Sequence, residues 1–157
     1  MSQTPKILKI LLIMVQTMIL TISCSSFKAN TPNGFAAYEE ELWSDDFRAI
    51  SPDGVLYRVS ENEQKSAASV EFWEEAIGLK MKNTGYKTVE KINVEIDKTQ
   101  VNGFLFSAEQ NQKEYYYMII AIPTKNNVVL IEAAGEKSLF EKERENILKA
   151  ASQVRVK

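Results

Sequence analysis

Residues 92–123 read INVEIDKTQVNGFLFSAEQNQKEYYYMIIAIP, and the reading of this stretch decides the fold. Ile92, Val94 and Ile96 alternate with Asn93 and Glu95. That is the period-two pattern of a strand with one wet face, as expected near a sheet edge. VNGFLFSAE (101–109) is the next strand, and the polar turn Gln110–Lys113 leads into EYYYMIIAIPT (114–124), which is apolar on both faces. A strand apolar on both faces needs cover on each side of its sheet.

Working outward, Lys125-Asn126-Asn127 separates this stretch from VVLIEAAG (128–135), again apolar almost throughout. Glu136 to Val154 then reads as a helix, with Phe140, Ile147, Leu148 and Ala151 on one side and charges on the other. Upstream, Tyr86 to Ile96 completes the first strand. Before it, Ser66 to Lys82 is a predicted helix, with Ser66 as cap and Val70, Trp73, Ile77 and Met81 recurring at three and four. Gly78 inside that helix costs about 1 kcal/mol against alanine, so close packing on the sheet is expected there. FRAISPDG (47–54) and VLYRVS (55–60) read as two strands around a Ser-Pro-Asp-Gly turn. The last four strands have connections too short for crossovers, so they form an antiparallel meander. The expected class is α+β: an antiparallel sheet flanked by two α-helices.

The 157 residues suit one domain. Apolar residues make up 45% and charged residues 25%, ordinary globular usage that argues against global disorder. Lys6 and Lys9 are the only charges before Cys24, which leaves 17 basic and 21 acidic side chains, a net charge of −4, in the remainder. A mildly acidic domain without a basic stripe is a poor ligand for phosphate backbones, so no nucleic acid is expected. The chain has no histidine. Ser-His-Asp and Cys-His chemistry in their usual forms therefore fall away, as do the commonest zinc sites. No cofactor is expected, because the six glycines never approach G-x-G-x-x-G or P-loop spacing.

The N-terminus carries the most specific signal. Two lysines precede ILLIMVQTMILTI (10–22), which as a helix would rise about 20 Å, short of the roughly 30 Å hydrocarbon core. A positive start, a short apolar run and small residues describe a signal peptide over residues 1–23. Leu20-Thr21-Ile22-Ser23-Cys24 resembles a bacterial lipobox, with Ser23 as the small residue before the cysteine and Thr21 where that family prefers leucine. The resemblance implies a diacylglyceryl group on the Cys24 thiol, cleavage before it and acylation of the new amino group. Thr21-Ile22-Ser23 also fits an ordinary signal peptidase, which would leave an exported protein with one unpaired thiol. Acylating the thiol avoids that chemically awkward product. Two chains suffice for stable anchoring, so the membrane is the first expected partner. With Ser25 following the cysteine, the resemblance implies an outer-membrane address facing the periplasm. Residues 24–42 then read as lipidated terminus and flexible tether, with Phe35, Tyr38 and Leu42 as a short helical lead-in, and 43–157 as the domain.

Several side chains are candidates for chemistry or contact. Glu71, Glu74 and Glu75 form an acidic cluster, where Glu71 and Glu75 share a helix face that could take a hard cation or a basic partner, but a solvated face is the favoured reading. Tyr115, Tyr116 and Tyr117 must point to alternate sides, which favours packing under both helices over a ligand-facing tyrosine. Trp73 falls on the apolar stripe of its helix. Trp43, at the entrance to the domain, is the candidate partner contact, with core packing left open.

The element order is similar to that of the PsbP/Mog1 family over most of residues 45–155. The stretches that carry it are FRAISPDG, the 92–123 hairpins and VVLIEAAGEKSLFEKERENILKAASQVRV. The resemblance implies an α/β/α sandwich and a non-catalytic binding or assembly role in the cell envelope, with an unidentified protein partner. A small-ligand carrier, and less so an enzyme, stay open beside it.

Overall fold

The computed structural model describes residues 26–38, 46–64 and 66–157. Its centre is the expected meander: β5 (Lys87–Ile96), β6 (Thr99–Gln110), β7 (Lys113–Pro123) and β8 (Asn127–Glu136). Two of its hairpins turn through two residues with positive φ, Asp97-Lys98 at 48° and 64° and Asn111-Gln112 at 53° and 63°. That geometry matches the twist of the flanking strands, and Asp and Asn tolerate it better than most residues. β5 is an edge strand, as its wet face requires.

The first hairpin pairs β3 (Phe47–Ile50) with β4 (Leu56–Glu63). Its turn is closed by Ser51, whose Oγ and carbonyl accept from Val55 N (2.9 Å) and Gly54 N (3.0 Å), with Gly54 at φ 89°. β4 lies antiparallel to β8, with Arg58 opposite Glu132, and so extends the meander into a seven-stranded sheet with β2 (Ala36–Ala37) at its far edge.

Each face takes one helix. α2 (Lys137–Ser152) starts directly after β8 and buries Phe140, Ile147 and Ala151 on the face that carries Tyr57, Leu105, Met118 and Ile131. Tyr116 meets Phe140 edge-on there, with ring centroids 5.9 Å apart. α1 (Val70–Asn83) packs Ile77 and Met81 against Phe106, Ile119 and Ala121 on the opposite face. The α+β expectation is met as an α/β/α sandwich.

Two local expectations are corrected. α1 begins at Val70 because Ser69, not Ser66, caps it by accepting from Phe72 N at 3.2 Å. Gly78 has no described atom within 4 Å of where a Cβ would stand, so tight packing is not its reason. The close approach is at Gly103 instead, where a Cβ would meet Ile120 Cγ1 at 2.5 Å and the Ile119 carbonyl at 2.8 Å.

Much of the expected tether is also folded. β1 (Phe27–Lys28) pairs with β9 (Arg155–Val156), and Phe27 is only 7% exposed within the core. Around Phe35 and Tyr38 the chain is extended as β2, not helical, since Tyr38 N donates to the Arg48 carbonyl at 3.0 Å. Burial of Phe27 and Phe35 against the core outweighs the local turn composition that reads as linker. No helix among the described residues is long and apolar enough to cross a membrane.

Candidate functional site

α1 packs on β5, β6 and β7. On the same face, β3 and β4 carry Arg48, Ile50, Leu56 and Arg58 beyond its footprint, and no described helix covers them. Strand alternation puts Glu132 and Ala134 of β8 and Tyr117 of β7 on this face as well.

Charge organises the patch. Arg48 and Arg58 stand directly opposite each other in the register and converge on Asp46. Asp46 Oδ2 accepts from Arg58 Nη2 at 2.6 Å, Arg58 Nε at 3.0 Å and Arg48 Nη2 at 3.3 Å. Arg58 Nη1 also reaches Glu132 Oε2 at 3.5 Å. The Tyr117 hydroxyl donates to the other oxygen of Glu132. Burial works against the charged Arg58 guanidinium, but its hydrogen bond to Asp46 and the charges of Asp46 and Glu132 outweigh that and raise its pKa. Burial, then the Glu132 hydrogen bond and charge, raises the Tyr117 phenol far above its ordinary value. Among the described residues, two cations and two anions are thus matched, with a neutral tyrosine beside them.

Beside the charges lies an apolar strip, Ile50 at 36% and Leu56 at 43% exposure, neighbours across β3 and β4. Leu56, Arg58, Tyr117, Glu132, Ala133 and Ala134 line a shallow cleft of about 180 Å³. Small-ligand sites run to roughly 300–1,000 Å³, so this one is a dent in a surface. The arrangement can hold a preset pattern of charge and apolar area towards another surface. A phenol held protonated is poorly suited to act as a base.

The residues singled out in the sequence fall elsewhere. Cys24 and Trp43 lie outside the described residues. Glu74 is drawn away from Glu71 and Glu75, accepting from Lys91 Nζ and Asn102 Nδ2, both at 2.8 Å, and these bonds hold its carboxyl below the usual range. Among the described residues, no three His, Cys, Asp or Glu side chains could share a metal ion. Trp73 is half-buried beneath α1, its Nε1 donating to Gln64 Oε1 at 3.2 Å. From sequence, Asp45-Asp46 and Glu39-Glu40-Glu41 read as a solvated rim, which is corrected for Asp46 by its two arginine partners, whereas Arg58 and Glu132 drew no reading. The available signal was a single charge inside each of two otherwise apolar strands, VLYRVS and VVLIEAAG.

No family model matches the chain, and no curated protein matches it. Solved structures do. LpqN of Mycobacterium tuberculosis, a protein involved in cell envelope biogenesis, superposes with a TM-score of 0.66 at 10% identity, over 83% of this chain and 82% of LpqN. The Pseudomonas aeruginosa protein PA94, a putative regulator of unknown function by its description, gives 0.57 at 10% identity, over 75% and 94%. A cyanobacterial PsbP from Synechocystis gives 0.48 at 10% identity over 87% and 96%, too weak to carry an argument. At these identities the likeness establishes a shared α/β/α fold and nothing of activity.

Proposed function

We propose that this protein is a bacterial cell-envelope lipoprotein, anchored by a diacylglyceryl group on Cys24 in the outer membrane and facing the periplasm. In this reading its domain is a non-catalytic binding or assembly subunit. The observation that carries the binding role is the β3–β4–β8 face that no described helix covers, where Ile50 and Leu56 lie beside the Asp46–Arg58–Glu132 network. Apolar area next to prepaired charge suits a protein partner, since the apolar part contributes affinity and the fixed charges contribute specificity. The shared fold with LpqN, a protein of cell envelope biogenesis, supports the address. A ligand carrier is the second reading, and a cleft of about 180 Å³ gives it little room.

The experiment is cross-linking of the full chain in its own membranes, gentle solubilisation and mass spectrometry of co-purifying proteins, with the Cys24 peptide mass read from the same sample. A stoichiometric partner that is lost in Leu56→Asp, while the lipidated variant stays folded, is the expected result. Lipidated protein that emerges alone, unchanged by Leu56→Asp, would sink the binding role.

A further inference from the structure

The place where the chain enters the domain has chemistry of its own. β1 and β9 form a two-stranded ribbon with two unlike sides. Phe27 and Val156 turn inward to the core, while their neighbours Lys28 and Arg155, paired in the register, turn outward and are exposed. Lys98, at the tip of the β5–β6 hairpin, is exposed and lines one shallow cleft with Arg155. Two acids lie beside them. Asp97 binds Arg155 Nη1 at 3.1 Å and accepts from Val156 N at 3.3 Å, while Glu95, which accepts from the neutral Gln100 Nε2 at 3.5 Å, keeps its charge. Lys28 and Lys98 are the exposed bases here outside the Asp97–Arg155 pair.

The ribbon is also fastened. Ser26 N donates to Glu61 Oε2 at 3.3 Å, and the Ser26 carbonyl accepts from Lys157 N at 2.8 Å. One residue, Ser25, separates Ser26 from Cys24. Two peptide steps reach at most about 7 Å, so a lipid on Cys24 would leave the domain no room to float.

The geometry points to a membrane-seated domain: the fastened β1–β9 ribbon and the β5–β6 hairpin tip lie against anionic headgroups, with Lys28 and Lys98 as the contacts. The close seating rests on the lipid anchor proposed above, whereas the basic contact stands on the ribbon itself. It fixes how the domain is turned. The Ser51–Gly54 turn, at the opposite end of the strands, points away from the bilayer, and the Asp46–Arg58–Glu132 face stands upright beside it.

The test uses the full chain reconstituted in phosphatidylglycerol or phosphatidylcholine vesicles with a headgroup-linked quencher. A fluorophore is placed on Thr99→Cys, beside the proposed contact, or on Asp53→Cys, at the far turn. Quenching is expected at residue 99 and its loss at residue 53, because the quencher sits in the headgroup layer and residue 53 stands at the far end of the strands. Lys28→Ala with Lys98→Asn should narrow that difference on phosphatidylglycerol and leave phosphatidylcholine unchanged. Equal quenching at the two positions, or no response to the double variant, overturns the orientation. The Cys24 peptide mass separates the two proposals. If no lipid is found, the anchor reading fails, and the basic face is judged by flotation with phosphatidylglycerol vesicles. There the double variant should weaken binding about 25-fold, from two basic contacts of about fivefold each. Absence of flotation would remove the basic face as well.

Discussion

Tyr117 on β7 donates its hydroxyl hydrogen to Glu132 on β8, a bond that joins the central hairpin to the charge network of the β4 strand. Burial and this bond keep the phenol protonated far into the alkaline range, and burial alone does the same for Tyr57. In the unfolded chain both would ionise near pH 10. A pKa raised by folding gives stability that is complete below the unfolded value and lost as pH rises above it. We therefore expect the melting temperature to fall above about pH 10, with a shallower fall in Tyr57→Phe/Tyr117→Phe. Tyrosinate absorbance followed beside circular dichroism checks it. Full ionisation of all six tyrosines in a still-folded chain would contradict it.

Tyr57 permits a second, less intuitive expectation. Its ring is almost wholly buried, but its hydroxyl has no hydrogen-bond partner among the described residues. A buried unpaired hydroxyl costs about 1–3 kcal/mol, so Tyr57→Phe should be neutral or stabilising by up to about 1 kcal/mol. Tyr117→Phe should cost about 1–2 kcal/mol, because it removes a bond to a carboxylate. Urea midpoints of the two variants should move in opposite directions or differ by that amount.

Two glycines should respond to alanine with opposite signs. At Gly103 the new methyl would collide with Ile120 and the Ile119 carbonyl, and about 1–3 kcal/mol of stability should be lost. At Gly78 no described atom stands within 4 Å of a new methyl and the backbone is ordinary helix, so about 1 kcal/mol should be gained. A loss at Gly78 in chemical denaturation would show that the helix face meets something the described residues do not include.

Ser69→Ala should remove the α1 cap at a cost of about 1 kcal/mol, whereas Ser66→Ala should be near neutral. Thermal melts of the pair decide which serine starts the helix in solution.

The parts legible in the sequence are those whose signal is periodic and local. Ile92, Val94 and Ile96 announced an edge strand, and EYYYMIIAIPT announced a central one, because alternation or its absence follows directly from burial on one face or two. The β1–β9 ribbon had no such signal. Two-residue strands are shorter than any period, and Phe27 finds its partner Val156 only through the finished fold. The charge network was hidden for a related reason. Asp46, Arg58 and Glu132 each look like a stray polar residue until the β4–β8 register puts the last two side by side. Ser66 and Ser69 are equivalent as letters, and only the geometry at Phe72 distinguishes them.

The pairing of Phe27 with Val156 has a consequence for the order of folding. The meander and both helices can form from neighbouring segments, but β1 has nothing to pair with until β9 exists, and β9 comes after every other element. Contacts between residues so distant in sequence close late, because the loop entropy must be met before they form. β1, the first strand among the described residues, is thus the one secured last, after the sheet and both helices have assembled.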